Sequence, residues 1–161
     1  MNKTVFILAL LTLFGTATTT AYAGGDDDKK HAKNHHAFHA ALFFGAANNS
    51  AHTDFALGGD VEYRLPWLGS RMGIGAVADA VFAEHTHVLT GGGLFLHPAG
   101  GLKLLVAPAA AFSDGHRTFV LRSGVSYEVH VGGLSVAPTL NFDFDKHHTS
   151  QVFGLSIGAS L

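Results

Sequence analysis

The feature that most constrains this chain is an alternation of period two that runs from about residue 37 to the C terminus. In about eight segments, large apolar and aromatic residues alternate with glycine, alanine, serine and scattered charged residues. Successive side chains of a β-strand point to opposite faces, so each segment predicts a strand with one bulky apolar face. This alternation is typical of a transmembrane β-barrel, in which one face contacts lipid and the other lines the interior.

The second segment shows the alternation most clearly. One face carries Phe55, Leu57, Gly59, Val61, Tyr63 and Leu65, and the other carries Asp54, Ala56, Gly58, Asp60, Glu62 and Arg64. The residues at 66–70, 98–101 and 129–132 predict turns. The predicted fold is therefore all-β: a single antiparallel up-and-down transmembrane β-barrel of about eight strands. The facing of the fourth segment (87–96) stays open, and Pro108 within the fifth predicts a bulge.

Composition separates this barrel from a water-soluble one. A lipocalin-like barrel would place the bulky apolar face inside and leave glycine, alanine and serine in water. Charged residues make up only 14% of the chain, against about 25% in soluble domains.

Lysine and arginine form no stripe, which disfavours nucleic acid as a partner. The chain has no cysteine, so closure of the sheet rather than disulfides is expected to hold the fold.

The chain begins with a segment typical of a secretory signal. Lys3 precedes an apolar run from Val5 to Phe14, and Ala21-Tyr22-Ala23 forms a small-residue cleavage site. We assign residues 1–23 to a signal peptide, 24–36 to a flexible periplasmic tail rich in His, Asp and Lys, and 37–161 to the barrel. No later stretch approaches about 18 consecutive apolar residues, so no helical membrane span is expected.

The strand count predicts how the barrel lies in the membrane. An even number of strands places both termini on the periplasmic side, with short turns there and longer loops at the other end. Outward aromatic residues should form two belts at the membrane interfaces. The belt near the loops is predicted to contain Phe55, Phe82, Phe112, Phe119, Phe142 and Phe153, and the periplasmic belt Phe38, Tyr63, Trp67 and Tyr127.

Two sequence runs carry a family resemblance. Residues 121–128 read Leu-Arg-Ser-Gly-Val-Ser-Tyr-Glu, and residues 136–143 read Val-Ala-Pro-Thr-Leu-Asn-Phe-Asp. With these runs and the sequence Glu-Tyr-Arg-Leu-Pro at 62–66, the chain resembles small eight-stranded outer-membrane barrels of Gram-negative bacteria, including an uncharacterised family of them. The resemblance implies outer-membrane location, contact with outer-membrane lipid and lipopolysaccharide, and insertion by the barrel-assembly machinery. It implies no established activity.

Charged residues of the inward face are expected to meet inside the barrel. They are Asp60, Glu62, Arg64, Arg71, Asp79, Lys103, Arg122 and Glu128. The interior of an eight-stranded barrel is just wide enough for side chains to fill, and an unpaired buried charge costs several kcal/mol. We therefore expect the two signs to pair and to plug the lumen. The alternative interpretation is a proton or ion path.

Histidine is unusually frequent, with 12 residues in the chain. The predicted topology places six of them on the loop rim and a further group in the tail beside Asp26, Asp27 and Asp28. The rim group is His52, His85, His87, His116, His147 and His148, and the tail group is His31, His35 and His36, with His39 beside it. Imidazole is a common ligand of Zn, Cu and Ni, so a metal-binding module is one hypothesis. The opposing hypothesis is that these are ordinary polar residues.

The leading functional hypothesis is a monomeric, non-enzymatic outer-membrane barrel with a structural or surface-interaction role. The metal-binding module is the second hypothesis, and no cofactor is otherwise expected. A lipid-modifying enzyme is the third, because Ser126, Glu128 and His130 are close in sequence and a Ser-His-acid triad is recognised by geometry rather than by order.

Overall fold

The computed structural model describes residues 37–48, 52–146 and 148–161, which form an antiparallel β-sheet. The strands are β1 (Phe38–Asn48), β2 (Thr53–Arg64), β3 (Met72–Phe82), β4 (Thr86–Leu96), β5 (Leu102–Ser113), β6 (His116–Tyr127), β7 (Val129–Val131), β8 (Leu134–Phe144) and β9 (Thr149–Ser160). A single turn of 3-10 helix, Pro66–Leu68, connects β2 to β3. The predicted signal peptide and tail lie outside the described residues.

The sheet closes into a barrel of eight strands. From β1 to β6 each strand pairs with the next, and β8 pairs with β6, β7 and β9. The pairing of β1 with β9 closes the barrel. The short β7 continues β6 in the same register, with Ser126 opposite Thr139 and Val129 opposite Val136. The predicted antiparallel barrel is confirmed. The sequence at 129–132 was expected to form a turn, but Val129–Val131 is a strand and the turn lies at Gly132 and Gly133.

The barrel has two ends, which we name by the chain termini. The terminal end carries Phe38 and Ser160 and the connections at 65–71, 97–101 and 132–133. The distal end carries the connections at 49–52, 83–85, 114–115 and 145–148. The expectation of longer distal loops is wrong. The β5–β6 turn, for example, is made by Asp114 and Gly115 alone, whose positive φ angles of 48° and 80° fit a tight hairpin turn.

Pro108 interrupts strand pairing without shifting it. Gly91 lies opposite Ala109 and Leu94 opposite Val106, so one register holds on both sides of the proline. The predicted bulge is therefore wrong, because a bulge would insert an extra residue into one strand. Instead the β4–β5 pairing is interrupted beside Pro108, which has no N–H to donate.

The two faces of the barrel differ as the alternation predicts. Bulky apolar residues are exposed on the outside, including Phe55, Leu121 and Leu155. The facing of β4 is set by its pairing with β3 and β5. Leu89 and Phe95 point inward and are 7% and 0% exposed, whereas Leu94 is 38% exposed on the outside. The inside therefore also contains an apolar cluster that the alternation did not predict: Val77, Leu89, Phe95, Leu105, Ala107, Ala109 and Val120.

Aromatic residues pair across strands at both ends of the outer face. Phe55 and Phe82 stack at the distal end with ring centroids 5.9 Å apart, and Phe38 and Tyr63 are 4.9 Å apart at the terminal end. Trp67 is 72% exposed in the connection at the terminal end. These positions agree with the two predicted belts. None of the helices within the described residues has the length and apolar character needed to cross a membrane.

Candidate functional site

The interior at the terminal end holds a cluster of charged side chains, which we call the terminal cluster. It consists of His39, Asp60, Glu62, Arg64, His97, Lys103 and Glu128. Lys103 Nζ donates to Asp60 Oδ1 at 2.9 Å, and Arg64 Nη2 donates to Glu128 Oε2 at 3.2 Å. Glu62 is 1% exposed, and its Oε1 lies 2.7 Å from His97 Nε2. These pairs join residues that are distant in the chain.

A second group of charges, the distal triad, lies nearer the other end. Arg122 on β6 is 2% exposed and donates from Nε and Nη2 to the two carboxylate oxygens of Asp143, at 2.6 and 2.8 Å. Its Nη1 forms an ion pair with Asp79, although that contact lacks hydrogen-bond geometry at Asp79 Oδ2. Gly58 lies beside Asp79, and any side chain at Gly58 would collide with the Asp79 carboxylate. The glycines of the inner face therefore make room for its charges.

Little space remains between the two groups. The cavity there has a volume of about 30 Å³ and is lined by residues that include Asp60, Asp79, Lys103 and Arg122. A water molecule needs roughly 10–15 Å³ measured this way. This cavity therefore accommodates about two water molecules.

The structure places most of the predicted lumen charges together but not all of them. Asp60, Glu62, Arg64, Lys103 and Glu128 belong to the terminal cluster, and Asp79 and Arg122 to the distal triad. Arg71 does not join them: it precedes β3, is exposed, and has no ion pair among the described residues.

Two histidines and one aspartate of the interior are absent from the predicted set of lumen charges, although the alternation places Asp143 on an inward face. His39, grouped with the tail, is buried on β1, while His97 and Asp143 reach the interior from beyond β4 and from β8. All three continue the inward parity of their strands. That signal could have placed His39 and Asp143 among the interior charges, but not His97, because the sequence leaves the facing of β4 open.

A buried serine and histidine meet near Glu128, which bears on the enzyme hypothesis. His39 Nε2 lies 3.2 Å from Ser135 Oγ and 3.9 Å from Glu128 Oε1, while His39 Nδ1 has no hydrogen-bond partner. In a Ser-His-acid triad the serine and the acid bind different ring nitrogens. Both groups here approach the same nitrogen, so the geometry is not that of a triad. His130, by contrast, is exposed on β7, away from the buried faces of Ser126 and Glu128.

The described rim histidines all lie at the distal end of the barrel. His52, His85, His87, His116 and His148 are all exposed there. His85 Nδ1 lies 3.1 Å from Asp114 Oδ2, and the backbone N–H of His148 donates to Asp145 Oδ1 at 2.7 Å. Among the described residues, no three His, Asp or Glu side chains converge to hold a metal ion. His147, His31, His35 and His36 lie outside those residues.

Comparison with known proteins defines the fold. No protein family and no curated protein matches the sequence. The N-terminal β-barrel domain of Pseudomonas aeruginosa OprF is similar in structure, with a TM-score of 0.53 and 14% identity over 76% of this chain and 96% of that one. Yersinia pestis Ail in a phospholipid bilayer nanodisc has a TM-score of 0.53 at 7% identity, covering 75% of this chain and 97% of Ail. A de novo designed transmembrane β-barrel has a TM-score of 0.54 at 11% identity, covering 75% and 95% of the two chains. The chain thus has the fold of small eight-stranded transmembrane barrels.

Proposed function

We propose that this protein is a monomeric, non-enzymatic outer-membrane barrel with a structural or surface-interaction role and a lumen closed by its own side chains. The apolar outer face and the likeness in fold to OprF and Ail support outer-membrane placement. In this arrangement the signal peptide directs export, the barrel-assembly machinery inserts the chain, both termini face the periplasm, and the outer face contacts lipid and lipopolysaccharide.

The observation that carries the closed lumen is the pairing of buried charges across the barrel. Arg122 contacts two carboxylates, and Lys103 and Arg64 each contact carboxylates from other strands. Taking one partner from a buried pair leaves an uncompensated charge, so these contacts resist rearrangement. The small volume of the cavity between the clusters also supports a closed lumen.

Planar-bilayer recording tests this proposal. Pure protein, refolded and checked for complete folding, is expected to show no large, stable conductance under voltage steps, because the paired side chains fill the lumen. A wide porin inserted in the same bilayer provides the positive control. A steady channel on the order of a nanosiemens, as expected of the aqueous lumen of a porin, would overturn the closed lumen.

Metal capture is a second candidate, favoured by the shared location of the described rim histidines at the distal end. Side chains lose conformational entropy when they coordinate a metal, so binding of Zn²⁺, Cu²⁺ or Ni²⁺ by the rim or the tail should be weak. Imidazole must be neutral to bind a metal. The affinity for metal should therefore fall as the pH is lowered from about 7.5 to about 5.

Calorimetric titration with these metals separates the rim from the tail. The proteins compared are the folded wild type, a form lacking residues 24–36, and a form with His85, His87, His147 and His148 changed to Ala. Each change is expected to remove part of the binding heat. Heat no greater than that of a histidine-poor barrel, or affinity that does not change with pH, would contradict metal capture.

A further inference from the structure

A cavity of about 520 Å³ opens at the distal end of the barrel, above the distal triad. Its floor is formed by Arg122, Asp79 and Asp143, and its lining includes apolar side chains from several strands. We propose that this distal cavity binds an organic cation with an apolar body, such as a primary amine on a hydrocarbon or aromatic skeleton. Its volume lies within the range of roughly 300–1,000 Å³ found for small-molecule sites.

The charges that line the distal cavity favour a cation. The guanidinium of Arg122 is shared between Asp143 and Asp79, so its one positive charge faces two carboxylates. Asp54 lines the same cavity, is half-buried, and has no salt bridge or hydrogen-bond partner among the described residues. Asp145 also lines the cavity and is paired with His148, which lines it together with His87. The resulting excess of negative charge lies between low-dielectric walls, where its field is focused and attracts a cation.

The apolar part of the lining favours an organic ion over a metal. Val81, Leu89, Val120 and Val152 line the cavity beside the carboxylates. A hydrated metal ion gains nothing from such a wall, and within the described ranges no three donor side chains converge to replace its water. An amine with an apolar body uses both surfaces, because its ammonium group pairs with a carboxylate while its skeleton leaves water.

This inference deepens the proposed surface-interaction role, and it rests on that proposal only for the side from which the ligand arrives. In the proposed orientation the distal end faces the exterior of the cell. Binding itself depends on the cavity and can be measured whatever the orientation.

Titration of the barrel in nanodiscs of zwitterionic lipid tests the proposal. The probes are 4-phenylbutylamine, its neutral analogue 4-phenylbutan-1-ol, and butylamine, with empty nanodiscs subtracted to remove partitioning into lipid. We expect 4-phenylbutylamine to bind at least about tenfold more tightly than either analogue. Only this probe has both an ammonium group to pair with the carboxylates and an aromatic body to contact the apolar side chains. Binding should weaken as salt is added.

Asp54→Asn is the decisive variant, because it removes a charge from the cavity and leaves the shape unchanged. It should weaken binding of 4-phenylbutylamine about tenfold. Asp114→Asn is the matched control: it removes an exposed carboxylate from the β5–β6 turn, outside the cavity lining, and should leave the affinity unchanged. Equal affinity of wild type and Asp54→Asn, or equal binding of the amine and the alcohol, would overturn the proposal. A conducting lumen would overturn only the closed barrel.

Discussion

Replacing Arg122 by Met is expected to lower the free energy of unfolding by about 3–5 kcal/mol. The methionine fills a similar volume but leaves Asp79 and Asp143 facing each other without a cation inside the barrel. Repulsion between the two carboxylates and loss of the hydrogen bonds from Arg122 to Asp143 should both destabilise the fold. Urea unfolding in lipid vesicles measures the effect, and Trp67, the only tryptophan, is a natural fluorescent probe.

Arg117→Met provides the control on the same strand. Arg117 is exposed near the distal end, with its guanidinium carbon 5.8 Å from the centroid of the Phe112 ring, and its loss should cost about 1 kcal/mol or less. Adding Asp79→Asn and Asp143→Asn to the Arg122→Met protein should recover part of the lost stability, because no buried charge then remains unpaired. Equal effects of the Arg122 and Arg117 substitutions would show that the interior pairs do not hold the barrel together.

Replacing Leu121 by Arg should destabilise the folded barrel by about 2–4 kcal/mol in a bilayer. Leu121 lies near the middle of β6 and is 41% exposed on the outer face, so the new charge would lie among lipid chains near the midplane. The same unfolding assay in vesicles measures the loss.

His116→Arg places the same side chain at the exposed start of β6, where it reaches water. This substitution should lower the free energy of unfolding by no more than about 1 kcal/mol, because the penalty for arginine falls to about 0–1 kcal/mol near the membrane interfaces. If both substitutions were equally tolerated, the outer face would not be a lipid-facing surface.

Sequence alone located the strands of the barrel well because their period is short and regular. The predicted facing of β2, β3 and β9 agrees with the structure, since the largest apolar residues of each strand lie on one face. β4 could not be oriented in this way, because Leu89 and Phe95 on one face are matched by Leu94 and Leu96 on the other. Its facing follows from its register with β3 and β5, which is a property of the whole sheet.

The interior was harder to predict because its contacts join residues distant in the chain. Alternation placed Lys103, Asp60 and Glu128 on inward faces, but only closure of the sheet places them within reach of one another. His39 meets Ser135 because β1 and β8 both pair with β9, which brings opposite ends of the chain together. No local pattern contains that pairing.

Period-two alternation by itself determined the class of fold, the strands and most of their facing, because side-chain direction in a strand depends only on position along the chain. Tertiary structure alone decided which charges pair, that Arg71 stays outside, and that the distal cavity combines carboxylates with an apolar wall. The physical reason is that these features depend on the stagger between strands, which is set when the barrel closes.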